Sequence, residues 1–547
     1  MTMTNRVDST ITFEPPGPGT WMLDITHHGR RPITRFFSAA YEAAFTTGMG
    51  ALIERYGLPL AEIRPASVHG CSYARVIGLG EPEVPKGPPP KPVMWLAARL
   101  HPAIRRRNRA AAAAWAEKRW RADVDEWFDR RRATVVAANL AIQRVDPAGL
   151  DDEALLVHLD DAVANFRRAA FGSFELHGGD LIPTGDFFAH CDSWGIDITT
   201  AASLLAGASP ASVETARVLA PVARAMAVAD PRPSSIDEIR RLGPDVDAAI
   251  DDWLEQHGRR LLFSDDLDSP TLAESPELQL RALSAATEPP RPEVDPDPVR
   301  ARVPAVDRHR FDELLAEARS GLRLRDDNVG VAWNWPAGLV RRAVLEVGRR
   351  LVDREQLHRA EHVLQLDPRE VTVLVGGAQA PTADDAEGRW AFRDAVVAAG
   401  PPTTLGPEPT PPPFDVLPAP LARAARAVMA VIDAMEGVEA AAPLHGVGIG
   451  STPYRGRARV VDDAATAMTS LDAGDVVVTS FTGPAWNSLL PMVGALVVEE
   501  GGPLCHAAIV AREFGIPTVV GATDATRQVP DGATVEVDPV EGVVRVL

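Results

Sequence analysis

The chain has 547 residues, a formal net charge of -19 at pH 7 and three cysteines, Cys71, Cys191 and Cys505. That length exceeds what a single hydrophobic core organises and predicts about three or four domains. Cysteines this few and this scattered argue against a disulfide framework, and the acidic balance opposes non-specific binding to nucleic acid or an anionic membrane.

In chain order, Met1 to Asp8 lacks the apolar core of a signal peptide, so a cytoplasmic location is expected. Proline clusters at 80–92, 288–304 and 400–420 mark linkers or long surface loops. Between them the pattern is mainly helical, over 97–136, 151–171, 211–229, 235–260, 307–322 and 337–352. In the first of these helices, Arg105 to Arg107 and Arg130 to Arg132 bracket Trp115, Trp120 and Trp127. Interleaved Glu117, Asp123, Asp125, Glu126 and Asp129 predict a salt-bridged amphipathic helix with its tryptophans in the core, rather than a nucleic-acid arm. The lysines are Lys86, Lys91 and Lys118, and none lies in a Gly-x-x-x-x-Gly-Lys-Ser/Thr loop, so the chain is not expected to take phosphate from ATP by itself. No Cys-x-x-Cys or His-Glu-x-x-His spacing occurs, and no metal site is expected.

The last hundred or so residues read differently. Short β-branched runs at 476–478, 495–498, 518–520, 534–537 and 543–547, punctuated by Gly, Pro and Asp, predict a small mixed sheet with helices. The charge-free stretch between Asp475 and Glu499 is broken by Gly483-Pro484, Asn487-Ser488 and Pro491, which predicts strand, loop, helix and strand rather than a membrane span. Within this region Gly501-Gly502 precedes Cys505-His506, and a helix starts near Ala507. Bare backbone at the two glycines admits a phosphoryl-sized anion, and the helix start offers free N–H groups to it. His506 is therefore a candidate phosphorylated nucleophile. Cys505 is read either as a thiol nucleophile with His506 as base or as a small packing residue; residues adjacent in sequence suit the second role better. Arg512 serves as a phosphate ligand or as an ion-pair partner for Glu513 or another carboxylate.

These residues, with Ala507, Ala508, Ala511, Arg512, Glu513 and Pro517, and upstream 475–480, Thr482, Pro484, Trp486 and 494–498, resemble the phosphohistidine swivelling domain of the phosphoenolpyruvate-utilising enzymes. One departure is the segment 446–454, which lacks the family's usual glycine after its proline, here Pro453. The preceding region is similar in layout to the helical acceptor-binding region of rifampicin-phosphotransferase and phenylphosphate-synthase-like members. The stretches that carry this are 18–21 with His28, Pro32 and Thr34; 56–59; Gly70, Tyr73 and Arg75; 204–209; and 322–326 with Arg342, 348–351 and 364–366. Nothing resembles the family's ATP-grasp nucleotide domain.

The resemblance implies a multidomain protein with a large, mainly α-helical N-terminal region (1–420), a linker and connecting helix (400–440) and a C-terminal α/β swivelling phosphohistidine domain (441–547). It implies that His506 takes a phosphoryl group at one site and carries it to another, with Gly501, Gly502, Cys505 and Arg512 supporting the phosphate loop. His27, His28, His69, His177, His190, Arg323 and Arg325 are candidates on the acceptor side, because transfer to a hydroxyl uses a base and cations. His177, ahead of Gly178-Gly179-Asp180, also reads as a helix end with a glycine cap, His27-His28 as an exposed turn, and the two arginines as structural ion pairs. The family's large barrel domain does not follow the swivelling domain here, so the expected acceptor is a small organic hydroxyl compound rather than pyruvate. The expected cofactors are ATP and Mg²⁺, supplied through a separate ATP-grasp protein, with no nucleic-acid or membrane partner. The rival reading is a non-enzymatic ligand-binding or regulatory protein that retains the fold.

Overall fold

The computed structural model describes residues 11–24, 29–81, 90–262, 264–288, 294–408, 413–437, 442–461, 466–467, 470–483, 486 and 490–547. The N-terminal region carries a four-stranded antiparallel sheet in the order β2-β3-β1-β4, built from β1 (Trp21–Leu23), β2 (Leu60–Val68), β3 (Cys71–Gly78) and β4 (Thr404–Leu405). Sequence reading missed this sheet. The β2–β3 hairpin turns on His69 and Gly70, at φ 52° and 86°, the positive pair that a two-residue turn between right-twisted strands requires. His69 is thus a turn residue, its Nε2 at 2.9 Å from the Thr12 carbonyl and its ring edge-on to Phe13 and Phe392.

Helices make up most of the rest: α1 (Arg35–Tyr56), α2 (Pro102–Glu117), α3 (Arg119–Glu126), α4 (Asp152–Leu176), α5 (Gly178–Ser193), α6 (Arg308–Val329), α7 (Trp335–Asp353) and α8 (Ala419–Glu436), among shorter ones. The helix expected over 97–136 is several. Lys118, at φ 46°, breaks it between α2 and α3, and a π-helical turn at Trp127–Arg131 follows. Two of its three tryptophans enter the core: Trp120 and Trp127 are buried, and their indole N–H groups donate to Glu317 and Asp327, each at 2.7 Å, while Trp115 is half-buried and donates to the Pro420 carbonyl at 3.1 Å. α5 is the central rod, packed between α6 and α8. A Cβ on its Gly185 would lie 1.8 Å from the Ala427 carbonyl oxygen, so glycine is what lets α8 approach.

The C-terminal body is a seven-stranded mixed sheet of order β11-β10-β6-β7-β8-β9-β5. Its strands are β5 (Val447–Ile449), β6 (Tyr454–Val460), β7 (Val476–Thr479), β8 (Ala495–Val498), β9 (Thr518–Val520), β10 (Thr534–Asp538) and β11 (Val543–Val546). β6 to β9 run parallel, and β5, β10 and β11 pair antiparallel. β7, β8 and β9 are buried along their whole length, which is why they read as unbroken apolar runs. The helix expected between β7 and β8 falls mostly on residues outside those described; Leu490–Met492 forms a 3₁₀ turn. After β8 the chain loops through Glu499 to Cys505, enters α9 (His506–Phe514) and returns along β9.

Candidate functional site

His506 opens α9 beyond the carboxyl ends of β7 and β8, the end of a parallel sheet where loops collect. Cys505 is the N-cap, extended at ψ 164°, and the Gly515 αL residue closes the helix. Thr482, buried in the loop after β7, places its Oγ1 3.3 Å from His506 Nδ1. The imidazole pKa is lowered below the ordinary range, chiefly because the ring is desolvated; the Asp326 carboxylate opposes this and the Arg325 guanidinium adds to it. The ring is neutral at pH 7.

Arg325 and Asp326 belong to α6, in the other body of the molecule, so the phosphohistidine-type helix is docked on the helical region. Several contacts hold it there. Gly502 donates its N–H to the Met435 carbonyl at 2.8 Å, and Leu504 donates to the Ala434 carbonyl at 2.7 Å. Both acceptors are orphan carbonyls in the last turn of α8, capped here by the loop ahead of His506. Gly207 donates its N–H to Glu513 Oε1 at 2.7 Å, and Arg30 pairs with Glu500 at 2.7 Å. Leu504 and Ile509 join the apolar cluster formed by α5, α6 and α8 residues.

The glycines have steric work in this arrangement. Gly501, at φ 111°, lies under Cys505, whose Sγ would be 2.9 Å from an added Cβ. A Cβ on Gly502 would sit 2.6 Å from the Gly437 backbone and 2.7 Å from the Ala434 oxygen. Cys505 packs there as a half-buried thiol with its pKa raised by burial. Among the described residues Arg512 makes no ion pair with Glu513 or another carboxylate; it donates Nη1 to the Pro503 carbonyl, bracing the loop ahead of His506. Burial pushes its pKa down to about 10.

The acceptor-side candidates separate. Arg325 faces the site, donating Nη2 to Met435 Sδ at 2.9 Å and acting electrostatically on His506 and Cys505. Arg323 points elsewhere and stacks on Phe128, 4.7 Å from the ring centroid. His177 joins α4 to α5 in helical conformation, so the glycine after it is no left-handed cap; its Nδ1 lies 3.0 Å from Asp180 Oδ1. Gly178 and Gly179 serve packing, since a Cβ would strike the Tyr56 ring and Leu324 respectively. His190 Nδ1 contacts the Asp186 carbonyl at 2.7 Å within α5. His27 and His28 lie outside the described residues.

Two site residues entered the sequence reading only within matching stretches, Glu513 also as a candidate partner of Arg512, and neither with a role at the site. Asp326 follows Arg325 and accepts from Ser209 Oγ at 2.8 Å. Glu513 is buried against Gly207, and burial pushes its pKa up to about 7, with Asp326 adding to the rise and Arg319 and Arg512 opposing it. Glu513 carries a carboxylate across the boundary between the two bodies, and Asp326 acts on His506 electrostatically from the other side of it. Elsewhere, His358, Asp384 and Glu387 form an exposed group whose donor atoms lie within 4.8 Å of one another. Among the described residues no helix is long and apolar enough to cross a membrane.

Comparison with known proteins places this geometry in context. Residues 471–542 match the family described as PEP-utilising enzyme, mobile domain. A rifampicin phosphotransferase of Streptomyces sviceus is 43% identical over 104 residues, 19% of this chain and 12% of that protein. A phosphoenolpyruvate synthase of Aeropyrum pernix is 48% identical over 89 residues, 16% of this chain and 11% of that protein. The chondramide synthase cmdD of Chondromyces crocatus is 27% identical over 571 residues, 96% of this chain and 14% of that protein. The matched stretches thus span a small fraction of each relative's length.

Proposed function

We propose that the chain is a phosphotransferase component that carries a phosphoryl group on His506 to a small organic hydroxyl acceptor, because residues 471–542 match the mobile domain of phosphoenolpyruvate-utilising enzymes. The observation that carries this reading is the docking of a neutral His506 against Arg325 and Asp326 of the helical region. A neutral imidazole has the lone pair that attack on phosphorus needs; the N–P bond forms as the donor's P–O bond breaks. Thr482 Oγ1 lies on the Nδ1 side and orients the ring for the reaction. In the second step the acceptor oxygen attacks phosphorus and the N–P bond breaks, its electron pair returning to the ring. Arg325 steadies the charge on the transferring oxygens and Asp326 takes the hydroxyl proton. The likeness to relatives named as phosphotransferases supports the chemistry, and the whole-chain likeness to one segment of a longer protein supports helical region and mobile domain as a unit.

The phosphoryl donor in this reading is ATP with Mg²⁺ on a separate ATP-grasp protein, between which and α6 the C-terminal domain swings. Intact-mass and phosphohistidine analysis of the chain and of His506→Ala, with ATP and Mg²⁺, alone and with a candidate ATP-grasp protein, tests it. Acid-labile phosphate on the wild type only when the partner is present supports the relay. Labelling without a partner refutes the division of labour, and no labelling under any pairing leaves a binding protein that keeps the fold.

A further inference from the structure

Behind the Ser209–Asp326 contact lies a buried polar cluster that phosphoryl transfer, as described, does not use. The turn Pro210–Val213 packs against α9, and Glu214 follows it directly. The Glu214 carboxylate is almost fully buried; Arg132 Nη2 donates to it at 3.4 Å, while Arg217 Nη2, Arg260 Nη1 and the His257 Nε2 of a neutral ring stand off at 3.8 Å each. Asp327, by contrast, is saturated by Arg132 Nε at 2.9 Å and by the Trp127 indole. His257 Nε2 and Arg260 Nη2 have no hydrogen-bond partner among the described residues, and His257 is 7% exposed.

The surrounding backbone is unusual in the same place. Both described π-helical turns, Trp127–Arg131 and Gly330–Asn334, flank the cluster: Arg132 leaves the first and Asp327 stands just ahead of the second. Such turns insert a residue into a helix at a cost and concentrate at functional sites. Gly330 leaves room for the guanidinium, since a Cβ there would lie 2.9 Å from Arg260 Nη1. Burial depresses the pKa of both His257 and Arg260 more than the nearby carboxylates restore that of Arg260. Two arginines face two carboxylates in the cluster, yet His257 Nε2 and Arg260 Nη2 are short of acceptors, and buried donors left unpaired are costly.

We propose that this cluster is an oxyanion subsite, in which Arg260 Nη2 and His257 Nε2 bind either the carboxylate of a hydroxy-acid acceptor or inorganic phosphate. The assignment of the first source rests on the phosphotransfer reading above; the site itself does not. Docking of α9 against Pro210–Val213 closes the subsite, and departure of the C-terminal domain uncovers the turn that walls it.

The test is calorimetric titration of the full, unphosphorylated chain with glycolate, acetate and inorganic phosphate, each separately. Saturable one-to-one binding of glycolate, with acetate weaker, identifies an acceptor carboxylate; binding of phosphate alone identifies free phosphate. Arg260→Met is expected to weaken whichever binds by tenfold or more. His257→Asn gives a second readout should the arginine variant fail to fold, folding being judged by circular dichroism. No saturable heat with any of the three probes overturns the subsite and leaves water as the occupant, and so does undiminished binding in a folded variant. Because the chain carries no phosphate in this experiment, failure of the subsite and failure of His506 labelling are separate results.

Discussion

Glu513 accepts the Gly207 N–H at 2.7 Å from across the boundary between the two bodies, with its carboxyl buried and its pKa pushed up to about 7. Undocking returns that carboxyl towards its ordinary value of 4.5. Docked chain therefore binds more protons between those two values, and docking weakens as pH rises through about 7, by at most tenfold per pH unit. Hydrogen exchange of a peptide covering residues 501–505, corrected for intrinsic exchange, is expected to speed up several-fold from pH 6 to pH 8. Glu513→Gln should flatten that rise; an unchanged rise in the variant would place the titrating group elsewhere.

The capping of α8 by the loop before His506 depends on a glycine. Gly502→Ala puts a methyl 2.6 Å from the Gly437 backbone, and backbone on both sides leaves little room to yield. The expected cost is about 1–3 kcal/mol of docking, read as faster exchange in the same peptide, with the C-terminal domain still folded. Gly388→Ala, where nothing lies within 4 Å, is the control and should be neutral or slightly stabilising. Equal behaviour of the two variants would sink the steric argument.

The helix that starts at His506 was legible because its signals are local: a glycine pair ahead of a histidine at a helix start, between short β-branched runs. The β2–β3 hairpin was not. β2 is an edge strand with no consistently buried face, and Pro65 within it reads as a breaker. Arg323 and Arg325 were equivalent in sequence, but two residues along a helix point to different sides, so only packing could separate them. Asp326 and Glu513 gain their meaning from contacts with residues more than a hundred positions away, which no local pattern encodes.

Thr482 orients the ring that reacts. Thr482→Val removes the hydroxyl beside Nδ1 at nearly constant volume and is expected to slow His506 phosphorylation about tenfold, whereas Thr482→Ser stays close to wild type. Because desolvation in the docked state lowers the His506 pKa, the imidazole of the resting chain should stay neutral from pH 6 to 8 and protonate only in more acid solution. Quenched-flow labelling at constant donor concentration measures the Thr482 variants, and an NMR titration of the His506 ring measures its protonation. A ring that titrates between pH 6 and 7 would mean an imidazole of ordinary basicity.

Arg325 and Arg323 offer the sharpest separation of site from scaffold. Arg325 acts on His506 directly, while Arg323 covers the Phe128 ring. Arg325→Ala is expected to leave loading intact but to slow discharge of labelled phosphohistidine into a panel of alcohols, phenols and hydroxy acids by about 10²–10³-fold. Arg323→Ala should leave discharge unchanged and cost about 0.5–1 kcal/mol of stability through the lost cation–π contact. Lysine at 325 restores charge without the planar fork and should recover only part of the rate. If the two alanine variants discharge alike, α6 is not the face on which the phosphoryl group is delivered, and the docked arrangement is a resting state instead.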